Sequence, residues 1–203
     1  MGVYAVKPRF QTSLRRLELR AIDAGVTADQ LTTAGTACAV GAAIMVLISA
    51  LNPVWLLAVP PLVLMRLACN ALDGMVAADT RTARPLGQVY NEFSDRLADI
   101  AILLAITLRS GSLLLGAVAM ALVLLSSYLG TVAAAAGGSR QYGGVMGKAD
   151  RMLVLAMAAP TAAFMTEWPA LTGYLAVIAA GSVITMWQRS MLIREELKGA
   201  SYR

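Results

Sequence analysis

Asn70, Asp73 and Ala77 recur at steps of three and four residues, and Asn91, Asp95 and Asp99 do the same a short way further on. On a helix such steps put each trio on one face, so the chain carries two polar stripes able to face one another. Carboxylate and carboxamide oxygens are hard ligands that suit Mg²⁺, Mn²⁺ or Ca²⁺. Close to hydrocarbon they are also expensive, and ionisable groups there line a water-filled cavity or bind an ion. Gly74 and Ala77 keep the surroundings of Asp73 bare, which lets a flat or phosphorylated ligand approach the backbone. The plainer alternatives are an ion pair of Asp73 or Asp95 with Arg66 or Arg96, and helix-end solvation or an ion pair for Asp99.

The elements that carry these stripes must lie in lipid. Of 203 residues, 58% are apolar and 14% charged, against about 25% charged in a soluble domain. Mean hydropathy is +0.67, and the runs 98–108, 113–136 and 152–165 hold more apolar surface than one soluble core of this size hides. A soluble enzyme is thereby excluded. The net charge of +5 does not indicate nucleic acid, because the cations gather by connection. Lys7, Arg9, Arg15, Arg16 and Arg20 precede the first apolar run. Arg81, Arg84 and Arg96 fall in or beside the second connection, Arg140, Lys148 and Arg151 in the fourth, and Arg189, Arg194, Lys198 and Arg203 after the last. Positive charge stays inside, so both termini are expected in the cytosol, with an even number of spans. No apolar stretch precedes the N-terminal charges, so no cleavable signal peptide is read. Cys38 and Cys69 follow no metal or disulfide spacing and read as small buried hydrophobes.

The expected fold is an all-α integral-membrane bundle of six transmembrane helices with an N-terminal interfacial amphipathic helix, forming one domain over residues 1–203. Residues 1–26 are the interfacial segment, 27–188 the bundle and 189–203 a cytosolic tail. Phe10, Leu14, Leu17 and Ala21 recur at helical spacing opposite Arg15, Arg16, Arg20 and Asp23, as on a helix lying on an anionic leaflet. Thr27 and Gln30 have capping-box spacing, so the first span runs from 28 to about 51, where Asn52-Pro53 turns the chain. The second begins at Pro53 and passes Pro60-Pro61; the others are 87–108, 113–136, 151–165 and 170–187. Tyr90, Tyr142, Trp55, Trp168 and Trp187 read as interfacial aromatics. The small-residue stretches 35–43 and 133–138 allow close helix contact, including a homodimer.

The stretch from Asn70 to Asp95 resembles the CDP-alcohol phosphotransferase (CDP-alcohol phosphatidyltransferase) family. That family's pattern is D-x-x-D-G-x-x-A-R, eight residues, G, three residues, D, three residues, D. This chain reads N-x-x-D-G-x-x-A-A, eight residues, G, three residues, N, three residues, D. The spacing is kept, while Asn70, Asn91 and Ala78 replace two aspartates and an arginine, which marks a divergent member. Residues 26–32 resemble the family's lead-in to its first membrane helix, and 147–151 its basic segment before the fifth.

The resemblance implies a phospholipid-synthesis transferase that moves a phosphatidyl or substituted phosphoryl group from a CDP-linked lipid, expected to be CDP-diacylglycerol, to an alcohol, with release of CMP. It implies Mg²⁺ or Mn²⁺ held by Asn70, Asp73, Asn91 and Asp95, with Asp95 as the base that deprotonates the alcohol. Gly74, Ala77 and Gly87 would flank the CDP moiety, and Lys148 and Arg151 would hold a substrate phosphate. The asparagines cut the formal charge of the four positions from −4 to −2, so affinity for a second metal should fall; Asp99 and Glu92 are candidates to restore it. Arg81 or Arg84 is a candidate substitute for the arginine lost at Ala78. The implied location is a bacterial cytoplasmic membrane. Two alternatives stand beside this: a degenerate relative that binds nucleotide or lipid without turnover, and a small ion transporter using Asp73, Asp95 and Asp99. The transporter lacks an inverted hydropathy repeat, and its charges gather at one face instead of the midplane. The acceptor alcohol cannot be read from these residues.

Overall fold

Thr27 starts the bundle as its spacing predicts. Its Oγ1 accepts from the Gln30 N–H at 3.3 Å, and Gln30 Oε1 accepts from the Thr27 N–H at 2.9 Å, so two orphan donors are satisfied reciprocally. The computed structural model describes residues 7–165 and 169–200, with side chains for 12–165 and 169–198. Among the described residues there are seven α-helices: α1 (Lys7–Asp23), α2 (Ala28–Ile48), α3 (Val59–Asp79), α4 (Pro85–Ser110), α5 (Leu113–Ala135), α6 (Lys148–Phe164) and α7 (Ala170–Ala200).

Punctuation sets these bounds. Asn52 Oδ1 accepts from the Val54 N–H at 3.0 Å and leads into a 3₁₀ turn over Pro53–Ala58. Pro60 and Pro61 then fall in the first turn of α3, where their missing N–H groups would have had no partner, so they start the helix and do not interrupt it. Gly111 ends α4 in the left-handed region, at φ +70, which permits the tight reversal into α5. Four segments are long and apolar enough to cross a membrane: Ala28–Ile48, Pro53–Asp79, Leu113–Ala135 and Ala170–Lys198. The other two expected spans are less plain. Helix α6 has 17 residues, and α4, with 26, carries Glu92, Asp95, Arg96 and Asp99 within its first fifteen. Helix α6 also starts at Lys148, three residues before the expected Arg151, and α7 runs on through most of the expected tail.

In α1 the apolar row is divided: Leu14 is buried against the bundle, with Glu18 beside it, while Leu17 is 48% exposed. Arg15 fixes α1 to the end of α3 by donating to Asp79 Oδ2 at 2.6 Å, and it also donates to Glu18 Oε2 at 2.8 Å. The hydrogen bonds to Asp79, then to Glu18, push the Arg15 pKa above its ordinary value. Trp168, expected as an interfacial aromatic, lies outside the described residues.

Lipid supplies little drive for helices to associate, so close approach depends on small residues. Gly35, Ala39, Ala42 and Ala43 are buried on α2, which packs on α3 and α4; the first small-residue stretch is therefore used within the chain. Val46, Val63, Ile102, Ile106, Leu155, Leu175 and Ile178 fill the core. Helices alternate in direction, so the starts of α2, α4 and α6 gather with the ends of α3, α5 and α7 at one end of the bundle. At the far end Arg109 Nε donates to Ser49 Oγ at 2.9 Å.

Gly116 marks the closest crossing of α4 and α5. A Cβ there would lie 2.6 Å from the Cβ of Thr107, a β-branched side chain with few rotamers to escape into. Gly116→Ala should destabilise the fold by about 1–3 kcal/mol, read as a lower thermal midpoint in detergent; an unchanged midpoint would show that this contact can relax freely.

Candidate functional site

Asp73 and Asp95 stand on facing helices at the end of the bundle where the expected stripes meet. Asp73, on α3, is 3% exposed. Its Oδ2 accepts from Thr32 Oγ1 of α2 at 2.8 Å and from Asn91 Nδ2 of α4 at 3.0 Å. Both donors are neutral, and among the described residues no basic side chain pairs with Asp73. Asn70 lies one turn before it, buried at an amide nitrogen that finds no partner. A Cβ at Gly35 would sit 3.4 Å from Asn70 Oδ1, so the bare glycine lets α2 close over this residue.

The acids of α4 are all paired. Asp95 accepts from Lys148 Nζ at 2.8 and 2.7 Å on its two oxygens, and Arg66 Nη2 lies 3.3 Å from Oδ1. Asp99 accepts from Arg151 Nη2 at 2.7 Å and has Arg96 Nη2 at 3.6 Å. Glu92 pairs with Arg140 from the α5–α6 connection and lies 3.7 Å from Arg96 Nε. Each of these acids sits on α4, and its partners come from α3, α6, the α5–α6 connection or its own next turn.

Several residues nominated from the sequence are thus brought together, and others are not. Asn91 is bonded to Asp73 and Lys148 to Asp95, two pairs at the same end of the bundle, with Asn70 one turn before Asp73 and bonded to neither pair. Arg151 is turned inward, donating to Asp99 and to the Met146 carbonyl, the latter at 3.2 Å, and is buried. Gly74 faces open space, with nothing within 4 Å of a Cβ built on it, as the bare-surface reading expects. Gly87 instead lies under Arg84, 3.4 Å from its Cγ, and Arg84 is paired with Asp29. A cavity of about 420 Å³ opens beside that pair, lined by Thr27, Asp29, Val76, Thr80, Thr82 and Arg84, and neither Gly74, Ala77 nor Gly87 lines it.

Sequence reasoning passed over two contributors, Thr32 and Gly35, whereas the ion pair of Asp95 with Arg66 that it offered as the plainer alternative is present. Thr32 and Gly35 precede the polar stripes by a whole helix, so no local spacing connects them to Asp73. Arg66 carried a signal: it stands four residues before Asn70 on the same face, inside an apolar run, where a charge requires a partner.

An apolar helical bundle with its polar groups gathered at one end defines an integral-membrane protein. No protein-family model matches the chain. Inner membrane protein YnbA of Escherichia coli (strain K12) is 30% identical over 188 residues, which is 92% of each chain. The solved structure of Mycobacterium tuberculosis phosphatidylinositol phosphate synthase, PgsA1, with CDP-DAG bound matches at a TM-score of 0.69 and 26% identity, covering 88% of this chain and 92% of that one. The same synthase in complex with manganese and citrate matches at 0.69 and 23% identity, covering 88% and 87%. The chain belongs to the CDP-alcohol phosphotransferase family, as a divergent member.

That family implies divalent cations, and the donor set decides how many fit. Among the described residues no three His, Cys, Asp or Glu side chains are grouped to hold a metal. The charge on Asp95 is met by Lys148 and Arg66, and those on Asp99 and Glu92 by arginines. Asp73 alone among these buried acids has only neutral partners. If a hard cation is held here, Asp73 with the flanking carboxamides Asn70 and Asn91 are the residues that would hold it, and the neutralised Asp95, Asp99 and Glu92 leave no second carboxylate for another.

Arg151 and Asp99 offer a test of the pairing. Arg151→Met should cost about 3–5 kcal/mol by leaving Asp99 buried beside an apolar side chain. Adding Asp99→Leu should recover most of it, read by thermal unfolding in detergent; a double variant no better than the single one would mean that the pair is not the source of the loss.

Proposed function

We propose that the chain is a membrane transferase that moves a phosphatidyl or substituted phosphoryl group from a CDP-linked lipid, CDP-diacylglycerol first among them, to an alcohol, with release of CMP. Its six helices α2–α7 would span a bacterial cytoplasmic membrane with the polar end of the bundle in the cytosol. The name of YnbA and the gathering of Lys and Arg at that end support this placement. The observation that carries the reading is the contrast between the two central carboxylates. Asp73 is buried without a basic partner, as a cation-holding group would be, and Asp95 faces it from α4 beside a lysine.

Each part of the site has work in that reaction. Asp73, Asn70 and Asn91 would hold a divalent cation, which when bound would neutralise charge on the diphosphate and on the departing CMP. The open backbone at Gly74, with Ala77 one turn beyond, leaves room for the cytidine nucleotide to lie close to α3, while Gly87 lies beneath Arg84 on the other side. Lys148 holds a substrate phosphate at the mouth of α6. Asp95 takes the proton of the attacking hydroxyl. Arg151, buried on Asp99, acts by setting α6 against α4 and so fixing where Lys148 begins.

One observation favours a second reading, in which the chain binds a CDP-lipid without turning it over: both oxygens of Asp95 are already engaged by Lys148. Purified protein incubated with CDP-diacylglycerol and a panel of alcohols separates the two. The transferase reading expects CMP release that needs Mg²⁺ or Mn²⁺ and disappears in excess chelator. Asp95→Asn should lower kcat by about 10² or more at saturating metal. Lipid binding with no CMP release from any alcohol would leave the binding reading in its place.

A further inference from the structure

Two cations hold Asp95, and they differ in freedom. Arg66 is wholly buried on α3, its Nη1 3.5 Å from the Gly35 carbonyl and its Nη2 on Asp95 Oδ1. Lys148 is the first residue of α6, and its side chain is 27% exposed while its ammonium engages both carboxylate oxygens. A guanidinium walled in by α2 and α3 cannot leave without opening close-packed core. An ammonium on a flexible four-carbon stem can leave by rotation about its own bonds.

The exchange is also balanced in charge. A phosphate oxygen offers the ammonium what a carboxylate offers, and Asp95 keeps Arg66 when the lysine departs, so no buried charge is stranded. With the lysine in place, its N–H groups occupy both oxygens, and an incoming hydroxyl finds its proton acceptor blocked. We propose that Lys148 is a displaceable cover on Asp95: a phosphate-bearing substrate draws the ammonium away and frees the carboxylate, which Arg66 keeps in position.

This rests on the transferase reading and adds to it a requirement on substrate class, since the group that reaches Lys148 must be anionic. The reaction then runs only after that group has bound. The acceptor oxygen bonds to the lipid-side phosphorus, the bond from that phosphorus to the bridging oxygen breaks with its electron pair leaving on CMP, and the hydroxyl proton passes to Asp95. Water is the competing acceptor, and the closed cover protects the donor from it, as binding-driven assembly of a site does in general. Arg66 is a positioning residue here, acting through Asp95.

Coupling between acceptor and CMP release tests the cover. Lys148→Met should raise CMP release without acceptor, relative to release with the alcohol the wild type uses best, by about tenfold, and Lys148→Arg should raise it less. Equal loss of both rates in Lys148→Met would overturn the proposal. A second measurement works on the wild type and needs no turnover. The chain has lysines only at 7, 148 and 198, so after ¹³C reductive methylation the Lys148 signal is assigned by its loss in Lys148→Arg. Added inorganic phosphate should move that signal toward its position in Asp95→Asn; a signal that stays fixed up to saturating phosphate would overturn the proposal even in an enzyme that turns over. A phosphate-responsive Lys148 without CMP release from any alcohol would support the cover and sink the transferase reading instead.

Discussion

Burying a carboxylate in an apolar bundle costs several kcal/mol unless a cation answers it, and the polar end of this molecule is arranged around that constraint. Asp95 and Asp99 lie one turn apart on α4 and are answered from α3 and α6, by Arg66, Lys148 and Arg151. Because α4 supplies the acids and its neighbours supply the bases, these contacts fix the relative rotation of three helices whose apolar faces alone would permit sliding. Asp73 departs from the rule. Thr32 and Asn91 satisfy its hydrogen bonds, and among the described residues no basic side chain pairs with it.

Two substitutions relative to the family pattern become intelligible in these terms. Asparagine at 70 and 91 removes two negative charges from a pocket that already holds Arg66 and Lys148, so four carboxylates here would not be needed to balance two metals. The side chains of α3 and α6 supply cationic charge beside Asp95 that would otherwise come from solution. What remains for a soluble cation is the single position at Asp73. Phosphoryl transfer demands positive charge near a diphosphate, and under the proposed function Arg66 and Lys148 would provide part of it.

Much of this was legible in the sequence, and the reasons are local. The three-and-four spacing of Asn70, Asp73, Asn91 and Asp95 survives into the structure because a helix converts spacing directly into a face. The Thr27–Gln30 cap and the turn at Asn52-Pro53 were readable because caps and turns are decided within four residues. Contacts between distant segments were not. No spacing links Thr32 to Asp73 or Arg140 to Glu92, and nothing in Gly147-Lys-Ala-Asp-Arg151 says that the lysine turns to Asp95 while the arginine turns to Asp99. In α1 the burial of Glu18 beside Arg15 was not legible either, because it depends on how the helix packs on α3.

The central claim is that one buried carboxylate is kept for a cation while the others are matched from within. Counting Mn²⁺ bound to the purified chain, by electron paramagnetic resonance of the free ion, tests it most directly. The account predicts about one Mn²⁺ per chain, lost in Asp73→Asn and retained in Asp95→Asn. Two equivalent ions per chain, or binding that survives Asp73→Asn and vanishes in Asp95→Asn, would contradict it.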